Sequence, residues 1–178
     1  MMLRRAANLP LSFWGGALAH MGVGLTLLGL SGAGFGAEAV ATLRVGTPQQ
    51  VGPYQVTLDA IGERLGQNYS DTVATMTVRE GGRTVAVIEP ARRHFAARQM
   101  TTTQAGLATL GFGQIYVAIA DPTSPNDAPA RLYWKPLVTL IWLGGGAMAL
   151  GGALSLADRR LRFGVAARAK SPAMEPAA

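Results

Sequence analysis

Two long apolar runs bracket a stretch of short alternating segments in this 178-residue chain. The first extends without a charge from about Leu11 to Phe35, and the second from about Pro136 to Ala157. A helix rises about 1.5 Å per residue, so roughly twenty such residues cross the hydrocarbon of a bilayer. The runs predict membrane-spanning helices over 12–35 and 136–157. Pro10 suits the opening of the first, where its missing N–H has no partner to lose. Tyr133 and Trp134 precede the second in the place of interfacial anchors.

Between the runs, over 38–134, the period changes. Tyr54, Val56 and Leu58 alternate with Gln55, Thr57 and Asp59, the repeat of a half-buried strand. Residues 72–79 continue in β-branched style, and Gly81-Gly82 joins them to Thr84–Ile88 as a tight hairpin. Gln114–Ala120 is a further strand candidate, followed by the polar loop Asp121–Asp127. Five to seven strands in about a hundred residues predict a small all-β domain, barrel- or sandwich-like. The expected fold is thus a membrane protein of α plus β type, two transmembrane helices flanking that domain.

Glycine changes the picture of the first helix. Gly15, Ala19 and Gly22 fall at i, i+4 and i+7 on one face, where a neighbouring helix or a flat cofactor can approach the backbone. Gly144–Gly146, Gly151 and Gly152 give the second helix a small-residue face as well.

Charge supplies the orientation. The net charge of +6 gathers at the ends, Arg4 and Arg5 in the lead (1–11) and Arg159, Arg160, Arg162, Arg168 and Lys170 in the tail (158–178). Basic residues beside apolar runs mark the cytoplasmic side. Both termini are expected there, with the β domain in the periplasm of a bacterial inner membrane. No basic patch interleaved with aromatics stands out, which argues against nucleic acid as a partner. A secretory signal peptide followed by a tail-anchored secreted β domain is the competing reading of the N-terminus. It predicts a mature chain beginning near Glu38, and the length of the first run and the presence of a second count against it.

Candidate chemistry is sparse. The chain has no cysteine and two histidines, which excludes thiolate chemistry and leaves a zinc site short of ligands. No carboxylate pair, phosphate-binding loop or Ser/His/Asp arrangement is evident. His94, in Arg92-Arg93-His94-Phe95, reads as a surface histidine in a charged, solvated stretch. His20 differs, because it sits among apolar residues. An unsatisfied ring there costs about 2 kcal/mol or more, so something must bind it. A serine or backbone carbonyl would serve, and so would a haem iron, which takes a neutral imidazole. Only Met148 in the second run could offer another axial ligand, so a haem would require a partner helix.

Three blocks resemble the C-terminal portion of the cytochrome c maturation protein F family, the membrane haem-lyase subunit that attaches haem to apocytochrome c. They are Ser12–Gly22, with its Trp-Gly and Ala-His; Glu89–Arg93 with Thr103-Gln104-Ala105 and Gln114–Val117; and Lys135–Val138 through Trp142, Met148 and Gly152 to Arg160. The resemblance implies that His20 is an axial ligand to a membrane-embedded haem b shared with another chain. It implies that this haem reduces the iron before attachment, since thioether formation needs ferrous haem. The implied partners are the missing N-terminal half of the lyase, a haem chaperone, and apocytochrome c with its thiol-handling subunits. The family's Trp-rich periplasmic segment and its other histidine ligands are absent here, so activity is not expected of the chain alone. Gln104 and Gln114 stand where the family usually has acids. The chain reads as a split subunit or a truncated product. A scaffold without haem, serving only to assemble the complex, is the alternative.

Overall fold

The computed structural model describes residues 9–158. The arginines of the lead and the basic tail lie outside the described residues, and with them the charges from which orientation is read.

Helix α1 (Leu11–Gly32) ends in a 3-10 turn, Ala33–Phe35. Ten strands follow among the described residues: β1 (Ala37–Arg44), β2 (Pro48–Val51), β3 (Tyr54–Leu65), β4 (Ser70–Glu80), β5 (Arg83–Ile88), β6 (Ala91–Phe95), β7 (Met100–Gln104), β8 (Gly106–Leu110), β9 (Gly113–Ile119) and β10 (Asp127–Lys135). Helix α2 (Thr139–Ala157) closes the sequence of elements. Both helices are long and apolar enough to cross a membrane.

The helices pack antiparallel along glycines spaced by seven. A Cβ placed on Gly22 would meet the Gly144 carbonyl at 2.6 Å, and one on Gly29 would meet the Ile141 side chain at 2.8 Å. At Gly151 it would stand 2.5 Å from the Gly15 carbonyl. Backbones this close gain dispersion contacts that a side chain would forbid, which suits helices whose remaining surface is as apolar as lipid. At one end of the pair, the carboxylate of Asp158 accepts the Ser12 N–H at 3.0 Å. A negative group there meets the positive end of the α1 dipole. At the other end, the chain turns from β10 into α2 through Pro136, Leu137 and Val138, with Leu137 held at φ 61°.

The strands form a sandwich of two antiparallel sheets. One has the order β1-β10-β9-β8; the other runs β2-β3-β4-β6-β7, with β5 on the remaining length of β4. Val56, Leu58, Met76, Val78, Ile115, Val117 and Leu132 fill the space between them and are fully buried. The β4–β5 hairpin has the two positive-φ glycines its turn requires, Gly81 and Gly82.

Three expectations change. Ten strands replace five to seven, because β1, β6, β7 and β10 are rich in Ala, Arg and Thr and lack a strong alternating signal. Helix α2 starts at Thr139 rather than 136, because the strand runs to Lys135 and the chain then turns through residues 136–138, with Leu137 in the left-handed region. Trp134 is consequently a residue of β10, partly buried against the sandwich core, rather than one leading straight into the second span. Its ring covers Gly52 and meets Tyr54 edge-on, 6.4 Å between centroids.

Candidate functional site

His20 lies nine residues into α1, about 14 Å from its start at ~1.5 Å per residue. Its ring is exposed, outside the packed seam with α2. The Nδ1 is 2.8 Å from the Gly16 carbonyl, one turn back. A carbonyl can only accept, so Nδ1 carries a proton, and in the neutral ring Nε2 keeps the lone pair. That is the tautomer a metal-bound imidazole needs, with its other nitrogen anchored to the protein.

The surroundings of the ring are open. Gly16, His20 and Gly24 follow at i, i+4 and i+8, on one face. A Cβ on either Gly16 or Gly24 would meet nothing within 4 Å. The face Gly15–Ala19–Gly22, which the sequence offers to either a helix or a flat cofactor, is occupied by α2. Met148 packs in that seam against Gly22, about 200° around α1 from His20. It is therefore not placed to share a metal with His20, and the second ligand implied for a haem has no candidate on α2. Nε2 of His20 is a donor that would suit the iron of a haem, and the open glycines beside it would leave room for a flat group.

His94 is elsewhere. It belongs to β6, half-buried, with Nδ1 3.2 Å from the Thr101 hydroxyl. The stretch around it is a strand rather than a solvated run, because Asp71 is buried beneath it. The carboxylate of Asp71 is 1% exposed and accepts Nε and Nη2 of Arg93 at 2.8 and 2.9 Å. Arg64 adds a third bond at 3.3 Å, and Arg93 stacks on the Tyr69 ring at 3.7 Å. These bonds, that to Arg93 foremost, hold the Asp71 carboxyl below the usual carboxylate range despite its burial. Next to this cluster, Arg92 clasps Asp121 with Nε and Nη2 and reaches the Thr103 hydroxyl with Nη1. The Arg92 bonds likewise lower the Asp121 carboxyl. A groove of about 500 Å³ runs from Arg92 across Ala118 and Val40 to Arg131.

Sequence reasoning missed Asp71 and Arg92, whose two-bond partners Arg93 and Asp121 lie 22 and 29 residues away. Gln104 and Gln114 stand on different sheets, in β7 and β9, and Gln114 donates to the Thr109 hydroxyl at 3.2 Å. Among the described residues no three His, Asp or Glu side chains converge as a metal site.

Residues 34–136 match the family described as CcmF C-terminal beta-sandwich. The chain is 43% identical over 171 residues to the cytochrome c-type biogenesis protein CycK of Bradyrhizobium diazoefficiens, covering 94% of this chain and 26% of that protein. It is 34% identical over 159 residues to the cytochrome c-type biogenesis protein CcmF of Haemophilus influenzae, covering 89% of this chain and 24% of that protein. A solved structure described as cytochrome c heme lyase CcmF superposes with a TM-score of 0.65 at 21% identity, over 80% of this chain and 24% of that one. The chain thus spans about a quarter of the length of the relatives it matches.

Proposed function

The chain belongs to the CcmF family, and on that premise we propose that it is the C-terminal portion of a membrane haem lyase. In this reading α1 and α2 span a bacterial inner membrane with both termini cytoplasmic. The sandwich faces the periplasm, where it meets the haem chaperone and apocytochrome c with its thiol-handling subunits. His20 would hold the iron of a haem b, with a second ligand supplied by the part of the lyase that this chain does not contain.

The observation that carries the reading is the His20 ring itself. Its Nδ1–H is committed to the Gly16 carbonyl, its Nε2 meets no partner among the described residues, and it points away from the α1–α2 seam at mid-helix. A neutral imidazole with a fixed tautomer binds iron without first losing a proton. Gly16 and Gly24 keep the surface beside the ring flat enough for a macrocycle. When bound, the haem supplies one-electron chemistry, which attachment needs because thioethers form on ferrous haem.

A second reading, a scaffold without haem, draws on the same hydrogen bond. With Nδ1 satisfied inside its own helix, His20 needs only one further partner to be tolerated in a membrane. The visible spectrum separates the two. Purified with the remainder of the lyase and reduced with dithionite, the chain should show a b-type α-band that His20→Ala abolishes. An assembled complex without that band would leave the scaffold.

A further inference from the structure

We propose that the helix-proximal edge of the sandwich is itself a lipid-binding surface. Phe112, at the tip of the β8–β9 turn, and Phe35, at the end of the first apolar run, insert into the boundary between headgroups and acyl chains. The inference rests on α1 and α2 being membrane spans and goes beyond it, since spanning helices could equally carry a sandwich held clear of the bilayer.

The level of Phe112 is fixed by a bond. Thr139, the first residue of α2, donates its N–H to the Phe112 carbonyl at 3.1 Å. The tip of the turn therefore lies where the second span begins. Phe35 ends the 25-residue apolar run Leu11–Phe35, and Gly36 after it lies against the Trp134 carbonyl, close to the start of α2. The two rings thus mark the plane at which the helix pair leaves the sandwich.

Both rings are exposed among the described residues. Phe35 is 80% exposed and Phe112 58%. Their neighbours Gly34 and Gly111 face open space, and Gly111 holds its turn at φ 61°. The tip, Leu110-Gly111-Phe112-Gly113, carries no charge. Lys135, exposed at the end of β10 and paired with Gln114 beside the turn, stands at the same edge, where an ammonium can meet lipid phosphate. Isolated exposed aromatics on a soluble surface need no explanation. Two of them at one level, beside two apolar spans, occupy the zone where amphipathic and aromatic groups settle in membranes.

The connection is too short to let the sandwich ride away from that zone. Only Gly36 separates the 3-10 turn from β1, and Pro136, Leu137 and Val138 alone separate β10 from α2. The placement of Phe112 is therefore set by the fold and not by a linker.

The chain has no cysteine, so single-cysteine nitroxide labels report depth directly. The full chain in nanodiscs of phosphatidylethanolamine and phosphatidylglycerol would carry a label at Phe112→Cys, Phe35→Cys, Leu65→Cys or Leu28→Cys. Leu65 is exposed at the far end of β3, and Leu28 is exposed on α1. Labels at 112 and 35 should be several-fold more accessible to oxygen than to an aqueous nickel chelate, approaching Leu28 and unlike Leu65. A label at 112 as open to nickel as that at 65, with 28 in lipid, would overturn the proposal and leave the spans standing. A label at 112 closed to both relaxants would mean protein covers it, and lipid does not. Nickel access at 28 would remove the spans, and this proposal with them.

Discussion

Helix α1 has two glycine faces with opposite surroundings. Gly15, Gly22 and Gly29 meet α2 so closely that a Cβ on Gly22 would stand 2.6 Å from a carbonyl oxygen. Gly16 and Gly24 meet nothing within 4 Å, and His20 stands between them. The same residue, chosen for the same missing side chain, closes a gap on one face and keeps one open on the other. Composition cannot distinguish these uses, and a spacing of seven against a spacing of eight does so only once a second helix is in place.

Substitution on each face makes the comparison sharp. Gly22→Leu should have the largest effect, because the seam has backbone atoms, which cannot move aside, where the new side chain must go. We expect little or no folded, monodisperse chain in detergent. A near-normal yield would mean that the helices do not pack as described.

Gly24→Leu should leave the fold intact and even favour the helix, since glycine costs ~1 kcal/mol in a helix interior. It should nevertheless remove most of the reduced b-type band of the assembled complex, by filling the space beside His20. Retention of a full band would show that the open face is not where the group lies.

The smallest effect is expected in the sandwich, away from both faces. The Asp71 carboxyl is held below its ordinary value of 3.8 by Arg93 and Arg64. A lowered carboxyl contributes stability that is complete above that ordinary value and lost as pH falls through the lower folded one. Melts of the sandwich should therefore be flat from about pH 5 to 7 and fall below about pH 4. Asp71→Asn should cost about 1–3 kcal/mol at pH 7, since the arginines are partly exposed, and should flatten the acid limb. The packed seam, built from uncharged groups between Gly15 and Gly29, should respond to neither. A parallel acid loss in Gly22-dependent packing would join the two regions that the structure keeps apart.

The apolar runs and the alternation of Tyr54–Asp59 made two helices and an all-β domain legible, because local hydrophobic period reports which side of an element is buried. The sequence by itself also isolated His20, since an imidazole in an uncharged run stands out without any partner in view. Tertiary structure decided the rest. Whether α2 or a cofactor took the Gly15–Gly22 face, that Met148 belongs to the seam, and that Arg93 lies in a strand over a buried Asp71 all depend on residues far apart in the chain. Trp134 shows the same limit, for its ring is placed by Gly52, some eighty residues earlier in the sequence. Period is a property of neighbours along the chain, whereas close approach and charge pairing belong to neighbours in space.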